Sequence, residues 1–202
     1  MRRHGAHGRW IATCAIVLGG LVLVGCATPR KQVSSLADLS LNEAVLVGRI
    51  EMVPPLQAGE QRLEGFFVSD MRNRAYFLTD DHWREVQGEP SISDYRGYVG
   101  EEFGKTFSVA VPTQPLYVLK GIMYLHFTHN RWEQAWLSGG LKVDLQPGDK
   151  AIYMGTVRYH RNAFMDITRV EIVDDFNRER AEFSKRFGTG LVLRKKLATV
   201  VK

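Results

Sequence analysis

The sequence predicts a mainly β protein: an antiparallel β-sandwich, or a partly open barrel, with one short helix near its C-terminus. Three observations carry this expectation. From Ala44 onward, about eight short runs are rich in β-branched and aromatic residues, and the first alternates apolar and polar positions at period two. The runs are bounded by turn-forming composition, such as Met71-Arg72-Asn73, Pro112-Thr113 and Gln146-Pro147-Gly148-Asp149. No long helical pattern separates them, so the strands have mainly one another to pack against.

Taken in order, AVLVGRIEMV places Val45, Val47, Arg49 and Glu51 on one side and Leu46, Gly48, Ile50 and Met52 on the other. Pro54-Pro55 stops this strand, because proline has no N–H to give to a ladder. RLEGFFVSD, RAYFLTD, KTFSVAVP, LYVLKGIMYLHFT, LKVDLQ, KAIYMGTVRYH and ITRVEIVDD follow as strands. AVLVGRIEM and AIYMGTVRY echo each other: Ala, three apolar residues, Gly, then polar, β-branched, charged and apolar positions. The echo is either an internal repeat, each copy opening one half of the sandwich, or the common look of strands kinked by glycine. FNRERAEFSKRF puts Phe176, Phe183 and Phe187 on one helical face, with Asp174-Asp175 at its start and Gly188 as its C-cap. The tail GLVLRKKLATVVK is either a last strand or an exposed basic segment.

The two cysteines both fall within the first 26 positions. Residues 1–9 carry three arginines and no acid, and the apolar stretch of 15 residues after them is short of the about 20 that a membrane span requires. Leu23-Val24-Gly25-Cys26 at its end resembles the bacterial lipobox. That resemblance implies a signal peptide over residues 1–25, cleavage before Cys26, and a diacylglyceryl group with palmitate-type acyl chains on the Cys26 sulfur. Two or three chains give stable anchoring where one binds only marginally. Ala27, rather than Asp, implies by the same resemblance an outer-membrane lipoprotein of the cell envelope, periplasmic or surface-facing.

Processing changes the reading of the composition. Loss of Arg2, Arg3 and Arg9 leaves 24 basic residues against 22 acidic ones, so the apparent hint of a nucleic-acid partner largely disappears. Cys14 leaves with the signal and Cys26 is acylated, so thiol catalysis, Cys-ligated zinc and disulfides are not expected. Residues 26–43 are expected to be lipidated cysteine and polar tether, with a short helix over 36–44 as the alternative. Residues 44–202 then form one domain of sufficient size for its own core.

The order of FSVAVP, LYVLKGIMY, LQPGDKAIYMG and VEIVDDFNRERAEF resembles a group of uncharacterised bacterial lipoprotein domains with a transthyretin-like or carboxypeptidase-regulatory-like sandwich. This resemblance of layout implies a sandwich and brings no catalytic motif.

The segment HFTHNRWEQAWLSGG is the foremost binding candidate. On a short helix, Trp132 and Trp136 share one face beside Arg131, an arrangement suited to stacking on sugar rings. The alternatives are two indoles buried over an open end of the fold, or a protein-docking patch. His126, His129 and His160 with Asp166 form the candidate metal set, although no HExxH-type spacing occurs. Asp80-Asp81 and Asp174-Asp175 are the carboxylate pairs, most simply read as turn and cap residues. No G-x-S-x-G elbow and no phosphate loop is present. The expectation is therefore a non-enzymatic, lipid-anchored binding or assembly module without cofactor, metal or catalytic residues. Its membrane contact runs through Cys26, and its partner is an envelope protein or glycan. The rivals are an envelope hydrolase using Asp80, Asp81 or His129 on glycans or peptides, and a metal binder using the histidines.

Overall fold

The computed structural model describes residues 28–57, 60, 73–87, 95–127 and 131–201. The run RLEGFFVSD and Cys26 lie outside these residues.

The period-two segments form two open sheets. Sheet A has the order β1(Thr28–Pro29), β4(Gly97–Glu102), β3(Arg74–Asp80), β6(Leu116–Phe127), β8(Leu141–Val143), β12(Thr199–Val200). Beyond β8, the same edge of β6 pairs with β7(Arg131–Leu137). Sheet B has the order β10(Ile167–Val173), β9(Ala151–Arg161), β2(Glu43–Val53), β5(Thr106–Pro112), with β11(Arg194–Lys195) also on β9. One cluster of buried side chains draws on both sheets, including Leu46, Ile50, Phe77, Val109, Met123, Ile152 and Tyr159.

The mainly β expectation agrees with this architecture, but the purely antiparallel pairing does not. The pairs β1–β4, β2–β9 and β11–β9 are parallel, so both sheets are mixed. Period two fixes which residues share a face and says nothing of strand direction. A parallel partner needs a crossover, and the chain between β2 and β9 supplies it by building most of sheet A.

The two echoing segments are β2 and β9, lying side by side in one sheet. From Arg49↔Thr156 through Met52↔Tyr159, their pairing follows the sequence echo residue for residue. Their glycines have different tasks. A Cβ on Gly48 would lie 2.6 Å from the Phe107 ring and 2.8 Å from Met154. Gly155 has φ +102 and occupies a bulge between Tyr153 and Thr156. That extra residue reverses the alternation: Ile152 and Met154 face the core before it, Val157 and Tyr159 after it. A second bulge, at Leu78/Thr79 opposite Val118–Lys120, does the same for β6.

Helix α1(Phe176–Phe187) forms where its phenylalanine spacing places it and ends at Gly188, whose N–H reaches Ser184 O at 2.9 Å. Asp174 Oδ1 accepts the Phe176 N–H at 3.1 Å. Asp175 makes no side-chain cap; it receives Thr156 and Arg178 instead. Phe183 packs with Val33, Val45, Val47, Tyr153 and Leu193, so α1 covers the outer face of sheet B. Beneath it, Glu179 accepts Arg49 Nη2 at 2.8 Å, Thr106 Oγ1 at 2.8 Å and Arg178 Nε at 3.2 Å.

The N-terminal end of the described chain differs from expectation, whereas the C-terminal tail takes the strand alternative, in two short strands. Within residues 26–43, expected as a tether, 28–33 run along the sheets: Thr28 pairs with Gly97, Gln32 bridges Val109 and Val33 is buried. Leu36–Asp38 is a single 3-10 turn, held by Asp38 Oδ2 accepting the Ser34 and Ser35 N–H groups. The basic tail stitches the sheets together, with Lys195 on β9 of sheet B and Thr199 on β8 of sheet A.

Candidate functional site: an aromatic face on sheet A

Strand alternation in sheet A sends one set of side chains to the core and the other outward. Leu78, Tyr95, Leu119 and Ile122 are buried on the outward side, and half-buried Tyr76, Tyr98, Tyr117, Tyr124 and Trp136 pack around them. Tyr76 meets Tyr98 edge-on at 5.8 Å and Tyr124 at 6.1 Å. Lys120 Nζ lies 4.8 Å from the centre of the Trp136 ring. Gly100 makes room for this cluster, since a Cβ there would stand 2.8 Å from Tyr76 Cδ1. Tyr76 and Tyr98 line a recess of about 370 Å³ together with Arg30, Arg74, Gln32 and Glu101. Burial raises the phenol pKa of both Tyr76 and Tyr124, so at neutral pH these rings carry hydroxyls that donate and accept. The face thus offers rings, hydroxyls and a rim of charged side chains, a combination suited to a ligand with both apolar and hydroxylated faces.

The Trp132–Trp136 segment joins this face by a different secondary structure from the one expected. Residues 131–137 are not a helix; they form β7, antiparallel to β6, with Trp132 opposite His126 and Trp136 opposite Ile122. The run RWEQAWL contains good helix formers, but the free edge of the long strand β6 overrides that local preference. Positions 132 and 136 still share a face, now by period two, and stand about 13 Å apart rather than one turn. Trp136 is part of the aromatic cluster; the side chains of Arg131 and Trp132 lie outside the described residues.

The other candidates are dispersed. His160 is 3.2 Å from Glu171 and 2.8 Å from Arg169, whereas Asp166 binds Asn162 within the β9–β10 turn. The His126 side chain and all of His129 lie outside the described residues, and among the described ones no three His, Cys, Asp or Glu residues gather as a metal site. Asp80 and Asp81 sit where β3 ends. Arg96 reaches Asp80 at 3.6 Å and Asp81 at 2.6 Å, and Arg84 reaches Asp80 at 3.5 Å. Burial pushes the Asp81 carboxyl up, but its hydrogen bond with Asp80 and the charge of Arg96 outweigh that and hold it below the usual carboxylate range. A general acid requires the opposite shift. The larger groove, about 720 Å³ between α1 and β5, centres on the Arg49–Glu179–Thr106 contacts already described. There the buried carboxylate has three donors and little capacity left for a ligand.

Sequence reasoning missed β4 and with it Tyr98. GYVGEE holds two glycines and two acids, a composition poor in strand signal. The alternation of Tyr76 with Phe77 was the available clue to an outward tyrosine. Compared with protein-family models, curated proteins and solved structures, the chain matches none.

Proposed function

We propose that the protein is a lipid-anchored envelope lipoprotein, held through Cys26, whose β domain is a non-enzymatic binding module for envelope glycans. The aromatic face of sheet A carries this reading. Half-buried rings held by their neighbours stack on sugar rings with little loss of side-chain freedom, and Tyr hydroxyls, Arg30, Arg74 and Gln32 are placed to hydrogen-bond ring substituents. The anchor rests on the lipobox resemblance, as does outer-membrane placement. The shared core of the two sheets supports a sandwich as the finer description of the fold. The engaged carboxylates at Asp80 and Asp81 support binding over glycan hydrolysis. Anchoring adds effective concentration, because a tethered module searches only the layer next to its membrane.

The direct test is sedimentation of the purified protein with peptidoglycan sacculi. Wild type is expected in the pellet, with Trp136→Ala and Tyr98→Ala each weakening binding about fivefold or more, as loss of an aromatic stack worth about 1–3 kcal/mol does elsewhere. Equal retention of wild type and both variants overturns the glycan reading.

A further inference from the structure

One end of the molecule gathers several strand ends. Strand β2 begins at Glu43 opposite Pro112, the last residue of β5, while β3 ends at Asp80 opposite Tyr117, near the start of β6. The loops at this end are tied together: Thr113 N–H donates to Asn42 O at 3.0 Å, and Gln114 Nε2 and Arg96 Nη1 both reach Asp81 Oδ2. Two large apolar side chains are exposed here, Leu41 at 93 % and Trp83 at 40 %, the latter with one side of its ring against Tyr117 at 6.4 Å between centroids. Arg84 follows Trp83 in the chain, and Arg84 and Arg96 both pair with Asp80.

The chain also leaves the fold at this end. Thr28 lies opposite Gly97, the first residue of β4 and the neighbour of Arg96. Cys26 is two residues upstream, so its Cα is at most about 7 Å from that of Thr28. An acyl group on Cys26 therefore brings the bilayer against the end bearing Leu41, Trp83 and the two arginines.

We propose that this end is a membrane-contact surface that dips Leu41 and Trp83 into the phospholipid interface, so the lipoprotein stands on its bilayer in one fixed orientation. This rests on the Cys26 anchor proposed above. The chemistry fits: tryptophan favours the headgroup level, arginine reaches phosphates, and apolar side chains of surface-bound elements sink about 5–10 Å. The arginines are balanced by Asp80 and Asp81, so apolar insertion rather than bulk charge supplies the contact. Phe164, 85 % exposed in the turn after β9, lies at the other end of sheet B and provides the internal control.

The test uses the full acylated protein in phosphatidylcholine–phosphatidylglycerol vesicles, some with acyl chains brominated near the headgroup. Leu41→Cys and Phe164→Cys are each labelled with an environment-sensitive fluorophore; both positions are exposed, so neither substitution disturbs the core. The Leu41 label is expected to lose more than half its emission to the brominated lipid, and the Phe164 label none. Labels equally quenched, or both unquenched, overturn the proposal. The mass of Cys26 is read on the same sample. An unacylated Cys26 overturns the anchor, while an acylated, vesicle-bound protein with an aqueous Leu41 label overturns only the contact surface.

Discussion

The two sheets of this protein turn similar strands outward and finish them differently. On sheet B the outward residues Val45, Val47 and Tyr153 disappear beneath Phe183 of the helix, Leu193 of the tail and Val33 of the N-terminal segment. On sheet A the outward Tyr76, Tyr98, Tyr117, Tyr124 and Trp136 stay half-buried, and among the described residues no helix lies over them. What covers the side chains separates the cases. On sheet B, Val45 and Val47 offer no polar group and the Tyr153 hydroxyl is taken up by Val173 O and the Asp175 N–H, so burial is complete; on sheet A the tyrosines and Trp136 keep one edge in water. One face is therefore closed by packing, and the other is the face on which the proposed function rests.

The largest effects that would break this contrast belong to sheet B. Phe183→Ala empties the centre of the helix–sheet contact and is expected to cost about 3–5 kcal/mol, read as a fall in the urea midpoint. Glu179→Ala leaves the Arg49 guanidinium without its buried carboxylate, and a similar loss of about 3–5 kcal/mol is expected. Tyr98→Ala on sheet A should cost less, about 2 kcal/mol, from one edge-on aromatic contact and the burial of half a ring, while reducing glycan retention. A stability loss at Tyr98 as large as that at Phe183 would make the aromatic face a structural layer.

The smallest effect sharpens the boundary at the N-terminal segment. Hydrogen bonds from the Ser35 and Ser34 backbones hold the Asp38 pKa at about 2. A depressed carboxylate contributes stability that is present above its unfolded pKa of about 4 and lost as pH falls through its folded value. The 34–38 turn should therefore loosen between about pH 4 and pH 2, seen as faster amide exchange there, and Asp38→Asn should show that fast exchange at neutral pH.

Sequence legibility followed the same division. Helix α1, its glycine stop and the strands with strong alternation could be read from local pattern, because each needs only its own residues. The parallel pairing of β2 with β9 could not, since nothing in AVLVGRIEM or AIYMGTVRY states a partner's direction. β4 was hidden by Gly97 and Gly100, the latter required by the Tyr76 ring lying across it. Trp136 was legible as a member of an aromatic surface, although RWEQAWL misled on secondary structure because β6 offered an edge that local propensity does not register. Tyr76 and Tyr98 became neighbours only through the β3–β4 register.

Hydroxyl-radical footprinting of the full protein with and without peptidoglycan sacculi tests the central contrast most directly. Protection at Tyr76, Tyr98, Tyr124 and Trp136, with unchanged labelling of Phe187 on the sheet B side, is the predicted result. No protection at those four rings, or protection confined to the helix side, would contradict it.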